Sequence, residues 1–264
     1  MPLDFTDGFS YGDYTYGDNL ESFRDSPSIE NQSSDSTSYS GSHAGVGRLY
    51  RRQLELRGVI QADDHQLLRD SIDEFLLAHT PGYPRRFIAY TDRFLWAQPE
   101  GEIQREHTNA RIFPWVATFR CADPFYYSAN AISVDLTQAS LGDFSTPRTA
   151  TVVVSGTAFA TPVLTVVIDS HASGAVSITN STTGEELEFE PDANGTYTLH
   201  CGPNCTTTEA TNRASRYRLF KSGVDKTALC SSLDMITLAV GSNSIIVSGA
   251  ACASVNLTWH SRYI

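Results

Sequence analysis

The 264-residue sequence lacks several features that would point to common protein classes. It has no apolar run of the roughly 18 residues that a transmembrane helix needs, so no membrane span is expected. Its first residues carry neither a basic nor an apolar stretch, and no signal peptide is expected. Lysine occurs only at Lys221 and Lys226, and no segment has a basic surplus, so specific nucleic-acid binding is not expected.

Sequence patterns of catalytic and cofactor sites are also missing. There is no P-loop, no GxGxxG, no HExxH and no Gly-x-Ser-x-Gly, so we expect no enzyme, no cofactor and no metal. Glu186, Glu188 and Glu190 share one strand face, and two of these carboxylates are candidates for the pair that glycoside cleavage requires. A solvated strand face is the interpretation that we favour.

The five cysteines do not form a recognisable redox or zinc motif. Cys201 and Cys205 are separated by three residues rather than two, and Cys230 and Cys252 stand alone. An odd count without a secretion signal indicates mostly free thiols in a reducing compartment. We interpret Cys201–Cys205 as a Gly-Pro-Asn turn, with a disulfide as the alternative ahead of a metal site, and the sequence leaves the redox state of these four thiols open.

The net charge of −11 is distributed unevenly. Residues 1–45 carry eight acids and one base, residues 46–128 carry eleven of each, and residues 129–264 carry eleven acids and seven bases. We interpret 1–45 as an acidic arm whose aromatic residues order by packing on its own domain or on a neighbouring subunit. Residues from about 26 to 46 are expected to form a long loop.

The following segment, to about residue 130, predicts strands and one helix. Strands are expected at 51–60, 85–96 and 111–121, with a turn at 98–101. The helix should begin after Asp63 as N-cap, with Gln66 in a capping-box position, and end at Thr80-Pro81-Gly82. Its apolar positions are Leu68, Ile72, Phe75, Leu76 and His79.

Strand 111–121 is stopped by Asp123-Pro124, because proline has no N–H to donate to a sheet and restricts the residue before it. Beyond this hinge, short strands alternate with turns, which predicts an antiparallel β-sandwich. We expect strands at 149–155, 163–168, 176–180 and 255–259. Hairpins are expected across Ser181–Gly184, across Asp192–Gly195 and across Gly241–Ser244.

The end of strand 111–121 and the residues that follow it, Cys121-Ala122-Asp123-Pro124-Phe125, resemble the corresponding stretch of the distal tail proteins of long-tailed (siphovirus-type) bacteriophages. Other stretches are similar to this family in the same order. They are Phe5–Phe9, Arg51–Ile60 with the helix that follows, Thr161–Leu164, Ile178–Glu185, Gly241–Ile245 and Trp259–Tyr263. The block 203–232 has no counterpart in the resemblance.

The resemblance implies a mainly β fold with two domains. Residues 1–130 would be an α+β, β-barrel or sandwich belt domain with one helix, including the acidic arm 1–45, and residues 131–264 a galectin-like antiparallel β-sandwich. The function implied is that of a structural virion protein of the phage tail tip. A hexameric ring, assembled in the host cytoplasm, would join the tail tube protein to the tail hub or baseplate, surround the DNA channel and meet side fibres or receptor-binding proteins.

The ring interface expected from this resemblance lies in the belt. Its residues would be Arg51, Arg52, Arg57, Asp63, Arg85, Arg86, Asp123, Pro124 and Phe125. The alternative function is a carbohydrate-binding β-sandwich module for adhesion to the host surface, with Trp259 or a tyrosine stacking on a sugar ring.

Overall fold

The computed structural model describes residues 9–30, 48–80, 84–105, 111–121, 123–136, 144–201, 218–234 and 236–264. The chain divides into two compact units, Met1–Tyr126 and Tyr127–Ile264. Within the described ranges the structure is mainly β with antiparallel sheets and one α-helix, α1 (His65–Ala78), which confirms the expected fold class. None of the described helices has the length and apolar character that crossing a membrane would need.

The described residues of the first unit form eight strands before the unit boundary. They are β1 (Ser10–Tyr11), β2 (Tyr14–Thr15), β3 (Leu20–Glu30), β4 (Arg48–Gln61), β5 (Arg85–Tyr90), β6 (Arg93–Pro99), β7 (Gln104–Arg105) and β8 (Ile112–Cys121). They follow the antiparallel order β2-β1-β5-β6-β8-β4-β3, with β7 pairing to β8 beside β6. The central pair β4–β8 runs in unbroken register from Arg52 opposite Cys121 to Gln61 opposite Ile112.

The alternation of side chains along this pair creates one apolar face. Trp115, Phe119 and Leu56 are buried on it, whereas Arg57 and Arg120 point to the opposite face. Helix α1 covers the apolar face, with the Phe75 and Trp115 rings 4.6 Å apart. Gly58 permits this packing, because a Cβ there would lie 2.5 Å from the Trp115 ring.

The start of α1 corrects the predicted cap by one residue. Asp64, not Asp63, is the N-cap, and its side chain accepts a hydrogen bond from the Gln66 N–H. Of the predicted apolar positions, Leu68, Phe75 and His79 are buried, and Ile72 and Leu76 are half-buried. Residues 81–83, which include most of the predicted stop signal, lie outside the described residues.

The described N-terminal residues pack on their own unit, which is one of the two expected alternatives, and they continue as a strand into the predicted loop. Phe9, Tyr11 and Tyr16 are buried, and β3 pairs with β4 from Leu20 to Glu30, so residues 26–30 are strand rather than loop. The pairing tolerates Pro27 because β3 ends the sheet order and needs hydrogen bonds on one side only. The Phe5 stretch and residues 31–47 lie outside the described residues.

The predicted strand at 85–96 is a hairpin instead. Strands β5 and β6 pair antiparallel, with Tyr90 opposite Arg93, so Thr91 and Asp92 form a two-residue turn. Neither residue is a glycine, proline or asparagine, and aromatic residues typical of strands lie on both sides, so the sequence gives no sign of a turn.

The remaining strands form the second unit, after β9 (Tyr126–Ser128), which spans the boundary. They are β10 (Ile132–Asp135), β11 (Phe144–Val154), β12 (Val163–Ile168), β13 (Val176–Asn180), β14 (Glu185–Phe189), β15 (Gly195–His200), β16 (Leu219–Lys221), β17 (Val224–Asp225), β18 (Cys230–Leu233), β19 (Gly241–Gly249), β20 (Cys252–Trp259) and β21 (Arg262–Tyr263). A six-stranded sheet, β10-β20-β12-β15-β16-β17, and a five-stranded sheet, β11-β19-β13-β14-β18, enclose one core.

Two of the three predicted hairpins in this unit are wrong. The turn Ser181–Gly184 does join the paired strands β13 and β14. Asp192–Gly195 instead connects β14 of one sheet to β15 of the other, so no hairpin forms there. Gly241–Ser244 belongs to β19, which pairs with β11. The segment before it makes only an isolated bridge from Leu238 to Ala160.

Candidate assembly surface

The expected ring-interface residues divide between the interior and the surface of the first unit. Arg52 and Pro124 are buried, so these two are corrected from interface residues to parts of the unit's own core. Arg52 is buried because it is one of the alternate β4 residues, with Leu54 and Leu56, whose side chains face the core. The side chain of Arg51 lies outside the described residues.

Arg52 is held in a compact polar network that the sequence did not reveal. Its Nη1 donates to Asp25 Oδ2 at 3.1 Å, and the Tyr126 hydroxyl donates to the same oxygen at 2.7 Å. The guanidinium also lies 4.5 Å from the centre of the Tyr126 ring. Burial, the hydrogen bond to Asp25 and its charge raise the Tyr126 pKa, so the hydroxyl keeps its proton. The network ties β3, β4 and the end of the unit together.

Two of the expected residues lie on charged exterior faces. Arg57 points away from the apolar core and pairs with Glu55 at 2.9 Å on the same strand. Arg24 lies opposite Glu55 on β3, and Arg120 lies opposite Gln53 on β8. These three arginines therefore share the exterior face of β3, β4 and β8. Asp63 is exposed just before α1.

The other expected residues make contacts within their own unit. The Arg85 guanidinium lies 6.0 Å from the Tyr11 ring, and that of Arg86 lies 4.5 Å from the Phe94 ring. Asp123 Oδ1 accepts the Phe125 N–H at 3.3 Å, which fixes the turn after β8. Their role as interface residues stays a prediction.

A second buried polar pair, His79 and Tyr16, joins the end of α1 to the residue that follows β2. His79 Nδ1 donates to the Phe75 carbonyl at 2.6 Å, so Nε2 accepts from the Tyr16 hydroxyl at 2.7 Å. Burial lowers the pKa of His79 to about 4 and raises that of Tyr16. The imidazole is therefore neutral near pH 7 and acts as a structural acceptor. A cleft of about 760 Å³ opens beside it, lined by Leu76, Thr80, Glu102 and Ile103 among others.

The second unit does not support its predicted sites. Trp259 is fully buried, so it cannot stack on a sugar, and the expected stacking role is wrong. The residue sits on the inward-facing series of β20, which the sequence pattern alone could have indicated. Glu186 accepts from the Ser177 hydroxyl at 2.8 Å and Glu188 from the Ser231 hydroxyl at 2.6 Å, which agrees with structural rather than catalytic carboxylates.

The described cysteines are free thiols, including Cys201, while Cys205 lies outside the described residues. Burial raises the pKa to about 12 for Cys121, Cys201 and Cys252 and to about 11 for Cys230. Such thiols carry almost no thiolate near pH 7 and are poor nucleophiles. The described residues contain no group of three or more His, Cys, Asp or Glu side chains placed to hold a metal ion.

Comparison with known proteins gives a likeness to a solved structure. No protein-family model and no curated protein matches the chain. The fold is similar to the crystal structure of SPP1 Dit, a protein described as a paradigm of the hub adsorption apparatus in phages that infect Gram-positive bacteria. The TM-score is 0.67 at 15% sequence identity, and the match covers 97% of this chain and 98% of SPP1 Dit. At that identity, the likeness establishes that the chain has the SPP1 Dit fold.

Proposed function

We propose that this protein is a structural component of a phage tail tip. Six copies form a ring that joins the tail tube to the hub, and the protein has no catalytic role. The observation that carries the proposal is the extent of the structural likeness, which covers 97% of this chain rather than a single domain. Sandwich domains are shared by proteins of many functions, whereas a match over a whole two-unit chain is more restrictive.

The charge of the chain suits a ring that surrounds DNA. The sequence is acidic overall, and residues 1–45 carry eight acids against one base. A negative wall repels DNA phosphates, which favours passage of the genome without adhesion. We place this N-terminal segment towards the channel. A density map of the ring with residues 9–30 on its outer surface would contradict that placement.

The proposal is tested by electron microscopy of the purified full-length protein. We expect ring-shaped particles with six-fold symmetry and a central opening. The same rings should be detected at the end of the tail tube when the protein is labelled in intact particles of its phage. Particles without rotational symmetry, together with an absence of label from the tail, would contradict the proposal.

The alternative of a carbohydrate-binding sandwich has lost its one named stacking residue, because Trp259 lies in the core. No other observation replaces it. A glycan panel would detect such binding directly, and we expect no signal above that of an unrelated β-sandwich protein.

A further inference from the structure

The charges of residues 46–128 are segregated although they cancel. Residues 63–78, which contain α1, hold five acids and one base, while the rest of 46–128 holds ten bases and six acids. Asp70, Asp73 and Glu74 are all exposed on the helix. Among the described residues, none of the five acids of this segment forms a salt bridge. The acidic helix therefore carries charge that no ion pair among the described side chains neutralises.

The opposite charge lies on the other side of the same layer. Helix α1 covers the face of β4 and β8 that carries Trp115, and its acidic residues point away from the strands. Arg24, Arg57 and Arg120 lie on the reverse face of β3, β4 and β8. Arg57 pairs there with Glu55 at 2.9 Å and Arg120 with Glu100 at 4.0 Å, and all four of these side chains are part-exposed, so the pairs are weak and can exchange partners. We call these the acidic helix face (Asp70, Asp73, Glu74, Leu77) and the arginine face (Arg24, Arg57, Arg120).

The two faces are similar in size. From residue 70 to residue 77 the helix rises about 10 Å at 1.5 Å per residue. The arginine face extends over three strands, about 10 Å across, and about 13 Å along them. A side chain in the middle of each face adds apolar area: Leu77 is 75% exposed on the helix, and Val116 is half-buried next to Arg57.

We infer that the acidic helix face of one copy docks on the arginine face of the next copy. The inference rests on the proposed ring, and it names the two surfaces that would build it. Because the two surfaces differ and lie on opposite sides of one unit, each copy has one of each to offer. Such a head-to-tail contact repeats from copy to copy and closes into a ring when the rotation per copy allows it. An acidic face meeting a second acidic face would be repelled, which disfavours a two-fold dimer.

Charge reversal on either face tests the inference. One double variant, Arg57→Glu with Arg120→Glu, reverses the arginine face, and the other, Asp73→Arg with Glu74→Arg, reverses the acidic helix face. Each should raise the apparent dissociation constant for self-association about tenfold or more over that of the wild type, measured by sedimentation at low ionic strength. The matched control is Arg218→Glu in the second unit. Arg218 is as exposed as Arg57, at 56%, and also pairs with one carboxylate, Asp225. This control should leave association unchanged, and circular dichroism should show that every variant is folded.

Mixing the variants distinguishes a head-to-tail contact from other interfaces. Each double variant alone should be monomeric, because its two faces carry the same charge. An equimolar mixture should assemble again, because the intact acidic helix face meets the intact arginine face and the two reversed faces also carry opposite charges. A chain carrying both sets of reversals restores opposite charges at the contact and should assemble again. Raising the salt concentration should weaken the wild-type assembly, since exposed charges are screened.

The outcomes separate this inference from the function on which it rests. A wild-type ring that tolerates both charge reversals would overturn the docking of these two faces and leave the ring itself intact. A mixture of the two variants that stays monomeric would overturn the head-to-tail docking of these faces. A wild-type chain that shows no self-association at low ionic strength would overturn the proposed ring and this inference together.

Discussion

The two units build their cores from different side chains. Ten of the 20 buried hydrophobic residues described in the first unit are aromatic, against five of 28 in the second. The first core groups Tyr16, Phe75, Trp115 and Phe119 around one helix, while the second joins two sheets mainly through leucine, isoleucine and valine. Aromatic rings fill the wide space between a helix and a sheet, whereas branched aliphatic chains interdigitate between two sheets.

The units also differ in how they bury polar groups. In the first, Arg52 contacts the Asp25 carboxylate, and neutral His79 accepts from Tyr16. In the second, Asn243 Oδ1 accepts the Ala239 N–H at 2.8 Å, and its Nδ2 donates to the Ala239 carbonyl at the same distance. The second unit thus buries amides together with the ionisable side chains of His260 and Arg262. The contrast that the predictions address is the pair of polar contacts in the first unit, Arg52–Asp25 and Tyr16–His79.

The largest effect should come from removing an aromatic ring from the first core. Phe75→Ala should lower the free energy of unfolding by about 3–5 kcal/mol, because it leaves a cavity against Trp115. Denaturant unfolding of the monomeric protein measures this change. Leu77→Ala, on the exposed side of the same helix, is the matched control and should change it by less than about 0.5 kcal/mol. Equal costs for the two variants would contradict the packing described.

A smaller loss should follow from breaking the buried ion pair. Asp25→Ala leaves the Arg52 guanidinium, which is 3% exposed, without its carboxylate, and should cost about 3 kcal/mol. Glu55→Ala removes the partner of exposed Arg57 and should cost less than about 1 kcal/mol. Hydrogen exchange should place the loss for Asp25→Ala in β3 and β4. Exchange that increases only in the second unit would be inconsistent with the network.

The pH dependence should be the smallest of the three effects. The pKa of His79 is lowered to about 4 in the folded protein. As the pH falls, the imidazole is therefore protonated in the unfolded chain before it is protonated in the folded protein. The stabilisation is complete above the unfolded pKa of about 6.5 and is lost as the pH falls towards 4, by about 2 kcal/mol at pH 5. His79→Asn should flatten this slope when unfolding is followed in the first unit between pH 7 and pH 4. His200→Asn is the comparison in the second unit, where burial also lowers a histidine pKa. A slope that His79→Asn leaves unchanged would contradict the account of this residue.

Much of the fold follows from local sequence signals. The period of Leu68, Phe75 and His79 predicts α1, and the alternation from Trp115 to Cys121 predicts β8, because in each case one face is buried along the whole element. Asp63 and Asp64 are chemically equivalent as caps, so the sequence could not distinguish between them.

The errors occur where tertiary contacts override turn chemistry. Gly241–Ser244 has the composition of a turn, yet the chain continues as β19 because Asn243 turns inward and binds the backbone of Ala239. Residues 20–30 are too polar to indicate a strand, and only their partner β4 makes them one. The buried pairs Arg52–Asp25 and Tyr16–His79 join residues 27 and 63 positions apart, a separation that no local pattern reports.

The most direct test of the central claim is the mass of the purified full-length protein in solution, measured by light scattering at several concentrations and low ionic strength. The account predicts a species of six times the 28.9 kDa chain mass that grows with concentration at the expense of the monomer. A mass of 28.9 kDa at every concentration would contradict it.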